Sequence, residues 1–297
     1  MLPTLRQLQY LKLLAEHGSF SRAAQAAHVT QPTLSAGVQE LERILGAAVV
    51  DRNRSGVILT AAGAEAVARG KAILAQAEDL VQAARGAHQP LGGRFRLGVI
   101  PTVAPFLLPA ALPALKARFP RLKLFLREDL THRLIAGLKE GALDGALIAL
   151  PYDVAGLEWA HVADDELMAA FPHGHALAAA RKVAADDLRG EELILLEDGH
   201  CLREHALAAC GLGGGRHARE EGFAATSLST LVQMVGSGLG VSFLPAMAVA
   251  AGLAAEANVV VRPLDAANAS REIVVAWRAG SSRAAEGRLL AAVFAGD

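Results

Sequence analysis

The chain has 297 residues, a formal net charge of −1 and a hydrophobic fraction of 53%. Such a chain can bury two or three separate cores, and its near-zero net charge excludes a global basic signal for nucleic acid, so any DNA contact must come from a local surface. Arg6 and Lys12 stand near the start with no apolar stretch behind them, and Pro245 with several polar residues interrupts the uncharged run 223–255. We therefore expect a cytoplasmic protein without a signal peptide or a membrane span.

The first sixty residues predict three helices, of which the last two are joined by a short turn. Ser19 can cap a helix from Phe20 to Ala27, and Thr30 can cap a third helix that ends at Gly46. The expected inner face of this third helix consists of Leu34, Val38, Leu41 and Leu45. Two short helices separated by a three-residue turn form the helix-turn-helix arrangement, whose second helix enters the major groove of DNA.

Polar side chains cluster where such a motif would meet DNA. Short polar groups in the first turn of the third helix suit base edges, and arginines in the second helix and in the wing-like segment after the third suit phosphates. The predicted DNA-binding residues are Ser21, Arg22, Gln31, Pro32, Thr33, Ser35, Arg52 and Arg54. The alternative is an ordinary three-helix packing unit.

Residues 5–60 resemble the winged helix-turn-helix domain of LysR-type transcriptional regulators. The resemblance rests on Leu8, Phe20, Ala23-Ala24, Gln31-Pro32, Ser35, Leu41-Glu42, Leu45-Gly46, Arg52 and Leu59-Thr60. One departure is the segment 49–52, where the family usually has Leu-Phe and a polar residue before the arginine; this concerns the packing of the wing more than the reading of DNA. The resemblance implies that residues 1–60 form a DNA-binding domain whose partner is promoter DNA.

A long helix is predicted to start after Thr60 and to run to about Arg85. Apolar and small residues alternate along one row at heptad spacing, namely Val67, Gly70, Leu74, Ala77, Val81 and Ala84. Such a row permits close helix–helix contact, so we expect residues 61–88 to be a linker helix that joins two copies of the chain. The alternative is a helix that packs on its own chain. The family uses this helix for dimerisation, and the resemblance implies a further assembly into a tetramer.

Residues 89–297 alternate between predicted strands and helices, with an α/β pattern that differs from the all-α N-terminal domain. The expected strands are 94–100, 122–127, 143–150, 166–171, 193–196, 241–244 and 271–278, and the expected helices include 106–119, 229–235 and 283–294. This order predicts a mostly parallel sheet with helices on its faces. We expect two lobes, lobe I at about 92–163 and 267–297 and lobe II at about 164–266. This half resembles the two-lobed, periplasmic-binding-protein-like regulatory domain of the same family.

Both cysteines lie in one short predicted helix within residues 196–211. Asp198 is a good N-cap, and Gly211 stands where a helix commonly ends in the left-handed conformation. In that frame Cys201 lies in the first turn and Cys210 in the last. Nine residues of helix span about 13.5 Å, so a disulfide between these cysteines requires the helix to unwind.

The two thiols are expected to differ in reactivity. The positive end of the helix dipole, together with His200 and Arg203, favours a thiolate at Cys201, whereas the negative end disfavours one at Cys210. The alternative is that both are small buried hydrophobic residues, as free cysteines usually are. A weaker alternative is a zinc site that uses Cys201 and His205, although the cysteine spacing matches no common zinc motif.

Within the LysR family, the regulatory half most resembles the hydrogen peroxide sensors. The matching segments are 128–134, 141–144, 149–152, 196–203 with Cys210, and 225–228. The resemblance implies that Cys201 is the peroxidatic cysteine and Cys210 the resolving one. It further implies a peroxide pocket lined by Thr102, Thr131, His200 and Arg278. Four glycines among residues 211–215 would help this segment to refold around a new disulfide.

The function implied by the resemblance is a peroxide-sensing DNA-binding activator of oxidative-stress genes that works through a reversible disulfide. The expected partners are promoter DNA, hydrogen peroxide, further copies of the chain, RNA polymerase and the cellular thiol reductants that reset the disulfide. We expect no cofactor, no metal site and no enzymatic turnover. One alternative is a LysR-type regulator that responds to a metabolite without redox sensing. The other is a thiol peroxidase or disulfide oxidoreductase, against which stand the missing Cys-x-x-Cys motif and the DNA-binding domain.

Overall fold

A computed structural model of the chain describes residues 1–53, 56–85, 90–211, 224–255 and 257–296. The chain divides into two compact units. The first consists of Met1–His88 with Lys139–Ala142, and the second of Gln89–Leu138 with Leu143–Asp297. None of the helices in the described ranges is both long enough and apolar enough to cross a membrane.

The first unit is built on three helices, a β-hairpin and a long fourth helix. Its elements are α1 (Leu5–His17), α2 (Phe20–Ala26), α3 (Gln31–Leu45), β1 (Val50–Asn53), β2 (Gly56–Leu59) and α4 (Ala61–Arg85). Strands β1 and β2 pair in antiparallel fashion and form the wing. Helices α1 to α3 pack on one apolar core. The winged helix-turn-helix fold predicted from the sequence is therefore confirmed.

Capping groups fix the ends of these helices. Thr30 Oγ1 accepts a hydrogen bond from the backbone N–H of Thr33, and Thr60 Oγ1 accepts one from the N–H of Gly63 at 2.9 Å. Ser19 occupies the predicted N-cap position of α2, but its side chain makes no capping bond. Leu45 was predicted to lie on the inner face of α3 and is exposed instead, because α3 ends there and the chain turns away at the next residue.

The apolar row of α4 packs partly on its own chain. Val67 is buried and Leu74 half-buried in the core of the first unit, and Gly70 lies against the side chain of Leu8. This part of α4 thus packs against α1 of its own chain, and dimerisation through residues 61–88 stays a prediction. Further along α4, Ile73, Leu80 and Val81 are exposed.

The second unit alternates strands and helices. Its elements are β3 (Arg94–Val99), α5 (Ala104–Arg118), β4 (Lys123–Glu128), α6 (Thr131–Lys139), β5 (Gly145–Leu150), β6 (Leu157–Pro172), β7 (Val183–Ala184), β8 (Leu195–Leu196), α7 (Cys201–Ala209), β9 (Ala224–Ala225), α8 (Leu228–Gly236), β10 (Ser242–Pro245), α9 (Ala246–Ala250), β11 (Val259–Asp265), β12 (Ser270–Arg278) and α10 (Ala284–Ala295). Two short 3₁₀-helices, Ala176–Ala179 and Ala185–Leu188, flank β7.

The main sheet is mixed rather than mostly parallel. Its strand order is β4-β3-β5-β12-β6-β11-β7, with β10 beside β6, and β8 and β9 form a separate parallel pair. Strand β3 runs parallel to β4 and β5, but β12 runs antiparallel to both β5 and β6. The prediction of a mostly parallel sheet is therefore wrong. Strand β12 is antiparallel to both of its neighbours, and β6 is antiparallel to β10, β11 and β12.

Strand β6 passes from one core to the other. Its first part, 157–166, pairs with β12, and its last part, 167–172, pairs with β10 and β11. Leu157 and Val162 belong to the core around β3 and β5, whereas Leu167 and Phe171 belong to the core around α8 and β10. The second unit thus has the two-lobed, periplasmic-binding-protein-like fold that the sequence predicts.

Candidate functional site

Helix α7 carries Cys201 as its first residue, and Cys210 follows its last residue. The predicted helix and the left-handed Gly211, at φ 64°, are confirmed. The capping prediction is wrong, because the N-cap residue is His200 and not Asp198. A turn at Gly199 delays the start of the helix, and the Asp198 carboxylate instead lies 2.9 Å from Arg203 Nε.

The two cysteines belong to different cores. Both thiols are free and buried, Cys201 in the core around β3 and β5 and Cys210 in the core around α8 and β10. Their separation along the helix is about 13.5 Å, roughly twice the Cα–Cα distance that a disulfide tolerates. A bond between them therefore requires α7 to unwind and at least one thiol to leave its core.

A buried arginine that the sequence analysis did not identify lies beside Cys201. Arg271, near the start of β12, donates from Nη1 to Thr102 Oγ1 at 2.8 Å and from Nη2 to the Thr102 carbonyl oxygen at 3.1 Å. Its Nε and Nη2 also donate to Asp165 Oδ2, at 3.0 and 2.8 Å. The turn that follows β3 thus meets strands β6 and β12 at one guanidinium group.

The environment of Cys201 differs from the one that the sequence predicts. Burial raises the pKa of the Cys201 thiol, while the charge of Arg271, the Thr131 hydroxyl and the backbone N–H after Cys201 lower it less. Burial therefore disfavours the thiolate at rest, contrary to the favoured thiolate that the sequence predicts. The cation that acts on the sulfur is Arg271 rather than Arg203, whose Nη1 donates to the Leu196 carbonyl oxygen at 3.1 Å. Burial also raises the pKa of Cys210, to about 11.

Three of the four predicted pocket residues lie near Cys201. Thr102 is held by Arg271, and His200 directly precedes the cysteine, with a pKa that burial lowers. Thr131, the first residue of α6, is buried. Its hydroxyl faces the thiol and lowers the pKa of Cys201, but it makes no full hydrogen bond to any described residue.

Arg278 does not belong to this site. It is the last residue of β12, seven positions after Arg271 and therefore roughly 23 Å away along the strand. Because β12 runs antiparallel to β5, the start of β12 lies beside Leu150, whereas Arg278 pairs with Leu157 at the opposite end of the strand. The prediction of Arg278 as a pocket residue is wrong, and Arg271 is the arginine of this strand that reaches the site.

His205 is a further buried group on α7. Its Nε2 lies 2.9 Å from the carbonyl oxygen of Pro151, and burial lowers the pKa of His205. Within the described ranges, no cluster of three or more His, Cys, Asp or Glu residues could hold a metal ion. A zinc site at Cys201 and His205 thus lacks a third ligand in the part of the chain that the structure describes.

The predicted DNA-binding residues of α2 and α3 lie on the surface of the first unit. Ser21 Oγ donates to Gln31 Oε1 at 2.9 Å, which brings the two helices together at the start of α3. The exposed members of the set are Ser21, Arg22, Gln31, Pro32 and Thr33, and Ser35 is half-buried. Arg52 lies in β1, with its side chain outside the description, and Arg54 lies outside the described residues. Contacts of these residues with DNA stay a prediction.

Comparison with known proteins assigns both halves of the chain to one family. Residues 5–64 match the model described as bacterial regulatory helix-turn-helix protein, lysR family, and residues 88–295 match the LysR substrate binding domain. The HTH-type transcriptional regulator EstR of Acinetobacter baylyi is 42% identical over 248 residues, which are 84% of this chain and 81% of EstR. A probable hydrogen peroxide-inducible genes activator of Mycobacterium avium is 41% identical over 281 residues, 95% of this chain and 90% of the relative.

A solved structure is similar over nearly the whole chain. It is a full-length OxyR variant from Pseudomonas aeruginosa, with a TM-score of 0.79 and 34% sequence identity, and the match covers 99% of this chain and 95% of that one. With family models matching both the DNA-binding head and the regulatory half, the chain belongs to the LysR family of bacterial transcriptional regulators.

Proposed function

We propose that the protein is a hydrogen-peroxide-sensing transcriptional regulator that activates oxidative-stress genes through a reversible Cys201–Cys210 disulfide. The observation that carries this proposal is the position of Cys201, which is buried beside Arg271 at the start of a short helix that ends at the second cysteine. The Mycobacterium avium relative is named for hydrogen peroxide-inducible genes, and the similar solved structure is an OxyR. Both names support a function in peroxide sensing.

The first chemical step is the oxidation of Cys201. Its sulfur attacks one peroxide oxygen, an S–O bond forms while the O–O bond breaks, and the other oxygen leaves as hydroxide and takes a proton to become water. Arg271 is placed to stabilise the thiolate as it forms. The Thr102 hydroxyl accepts from Arg271 and so keeps its own hydrogen for the departing oxygen.

The second step converts oxidation into a change of shape. The Cys210 sulfur attacks the sulfenic sulfur, a disulfide forms and water leaves. Because the two thiols lie at opposite ends of α7, this step must unwind the helix and remove a side chain from a core. The glycines at 213–215, predicted to ease this refolding, lie outside the described residues.

The remodelled regulatory domain then acts on the DNA-binding heads through the linker helices. In this proposal residues 1–60 bind promoter DNA, 61–88 join two copies, and 89–297 sense peroxide, with lobe I at about 92–163 and 267–297 and lobe II at about 164–266. The exposed Ile73, Leu80 and Val81 of α4 offer an apolar surface for the second copy. Assembly into a tetramer, contact with RNA polymerase in the cytoplasm and reset by thiol reductants complete the cycle.

One experiment tests the proposal directly. Thiols are mapped by mass spectrometry after a stoichiometric pulse of hydrogen peroxide, and a DNA footprint is recorded before and after the pulse. We expect a peptide pair cross-linked through Cys201 and Cys210, together with a changed footprint, and neither change in the Cys201→Ser variant. Free thiols after the pulse, or a disulfide that leaves the footprint unchanged, would contradict the proposal.

A second candidate function is regulation by a metabolite without redox sensing. Its support is the EstR relative, whose name does not refer to peroxide, and the family model of the regulatory half, which describes a substrate binding domain. Such a regulator would keep its response after the Cys201→Ser exchange. A thiol peroxidase would instead turn over peroxide continuously with a reductant, and a single turnover for each protein chain separates a sensor from it.

A further inference from the structure

One nitrogen of the His205 imidazole is buried without a partner. The side chain is 7% exposed, and its Nε2 lies 2.9 Å from the Pro151 carbonyl oxygen. Its Nδ1 has no hydrogen-bond partner among the described residues. A buried polar atom left without a partner costs about 1–3 kcal/mol, so native proteins rarely leave one empty.

The bond to Pro151 fixes the tautomer of this ring. A carbonyl oxygen can only accept, so Nε2 must carry the hydrogen, and the neutral imidazole then presents a lone pair at Nδ1. Burial lowers the pKa of His205, the Pro151 bond and Glu204 oppose this effect, and the charge of Arg271 adds to it. Nδ1 is therefore a buried hydrogen-bond acceptor that has no donor among the described residues.

His205 stands four residues after Cys201 on α7. Residues at this spacing lie on one face of a helix, and side chains tilt towards its N-terminus, so the imidazole covers the turn that carries the thiol. The Thr131 hydroxyl, which faces the same sulfur, is also buried without a full hydrogen bond to the described residues. The face of α7 that carries Cys201 thus also carries a buried acceptor without a partner among the described residues, and the Thr131 hydroxyl acts on the thiol itself.

We propose that His205 Nδ1 is the acceptor that holds a hydroperoxide against Cys201, with the Thr131 hydroxyl as its second partner. The inference rests on the proposed function and names the group that recognises the peroxide. A hydroperoxide brings an O–H that the lone pair at Nδ1 can accept. Halides and carboxylates bring only acceptors, so the same lone pair repels them.

The imidazole stays neutral throughout the reaction. The Cys201 sulfur attacks the peroxide oxygen whose hydrogen is bonded to Nδ1, and the S–O bond forms as the O–O bond breaks. That oxygen keeps its hydrogen and becomes the sulfenic acid, while the other leaves with the bonding pair and takes the proton that the thiol released. The sulfur loses two electrons and the peroxide is reduced to water. His205 orients the peroxide and transfers no proton.

The test measures peroxide oxidation and alkylation of Cys201 in parallel on the full-length chain. Every protein carries Cys210→Ser, so the reaction stops at the sulfenic acid, which dimedone traps for quantification by mass spectrometry. Iodoacetamide alkylation at the same pH needs the thiolate but no peroxide acceptor. His205→Leu removes both nitrogens, and His205→Gln keeps an amide donor and an acceptor oxygen. His161→Leu removes an exposed imidazole from β6 and serves as the matched control.

We expect His205→Leu to lower the rate constant with hydrogen peroxide about tenfold, the effect of one lost hydrogen bond, and to leave the alkylation rate unchanged. His205→Gln is expected to be faster than His205→Leu, and His161→Leu to match the parent. Equal oxidation of His205→Leu and the parent, an equal fall in oxidation and alkylation, or a His205→Gln no faster than His205→Leu would each overturn the inference. A parent protein whose Cys201 ignores peroxide would instead refute the proposed function, before any His205 variant is compared.

Discussion

Asp165 and Arg271 form an ion pair, 2.8 Å between Oδ2 and Nη2, whose side chains are 1% and 0% exposed. Asp165 belongs to β6, the strand that passes from one core to the other, and Arg271 belongs to the neighbouring strand β12. Asp165 Oδ1 also accepts from the backbone N–H of Met247, in the first turn of α9. The pair therefore joins β12 to β6 at the point where β6 changes cores, and it holds a positive charge beside the thiol of Cys201.

Breaking this pair should destabilise the protein strongly. Asp165→Asn leaves the Arg271 guanidinium buried without a counter-charge, and such losses cost about 3–5 kcal/mol. The matched control is Asp265→Asn, which breaks the Lys182–Asp265 pair, where both side chains are more than half exposed and where a loss of about 0–1 kcal/mol is expected. Urea unfolding followed by circular dichroism measures both. Equal losses in the two variants would show that burial does not increase the contribution of the Arg271 pair to the free energy of unfolding.

The charge of Arg271 should also set the reactivity of Cys201. Without it, the burial that raises the pKa of the thiol is opposed less, so the pKa should rise further. We expect the pH profile of iodoacetamide alkylation to move to higher pH when Arg271→Met is added to Asp165→Asn, a background that leaves no unpaired carboxylate. Arg203→Met, a neighbouring arginine on α7, should leave the profile in place. A shift caused by Arg203→Met alone would instead support the prediction from the sequence, in which Arg203 and the start of α7 stabilise the Cys201 thiolate.

Local patterns account for the parts of the structure that the sequence predicts well. Capping by Thr30 and Thr60 and the glycine that ends α3 are decided within a few residues of the chain, and so is α7 between its two cysteines. These features depend on hydrogen bonds and backbone angles that neighbouring residues determine. The helices of the first unit and the candidate redox pair could therefore be found without a structure.

The arginine of the site could not be found in this way. Arg271 and Arg278 lie on one strand, and which of them approaches Cys201 depends on the antiparallel pairing of β12 with β5, more than a hundred residues earlier in the chain. The reactivity of Cys201 likewise depends on how deeply the fold buries it. Both are long-range properties, and the family resemblance that indicated Arg278 does not include the pairing of β12. His205 carried a visible signal, its spacing of four from Cys201, but the sequence offered it only as a metal ligand.

Cys210 should make the protein less stable at alkaline pH. Burial raises the pKa of this thiol from its ordinary value of 9.0 to about 11, so the folded state holds the proton more tightly than the unfolded chain. The stability that this provides is complete below pH 9 and is lost as the pH rises from 9 to 11, to the extent of roughly 2–3 kcal/mol. Urea unfolding at pH 8 and pH 11 of the reduced protein measures the loss, which Cys210→Ala should reduce by that amount. An identical pH dependence with and without the thiol would contradict the expectation.

Two glycines of α4 offer a sharp test of packing in the first unit. A Cβ atom at Gly63 would lie 1.9 Å from the backbone carbonyl oxygen of Val49, whereas one at Gly70 would lie 3.6 Å from the nearest atom of Leu8, an ordinary contact. Alanine is the better helix former by about 1 kcal/mol, so Gly70→Ala should be neutral or stabilising. Gly63→Ala must push the backbone before the wing away from α4, and overpacking of this kind costs about 1–3 kcal/mol.

Both variants keep the predicted DNA-binding residues, so their effects can be separated from the chemistry of recognition. Thermal unfolding should place Gly63→Ala below the parent and Gly70→Ala at or above it, and affinity for a footprinted promoter fragment should fall only in Gly63→Ala, because the displaced segment leads into the wing. If Gly63→Ala unfolds and binds DNA like the parent, then the close approach of α4 to Val49 does not position the wing.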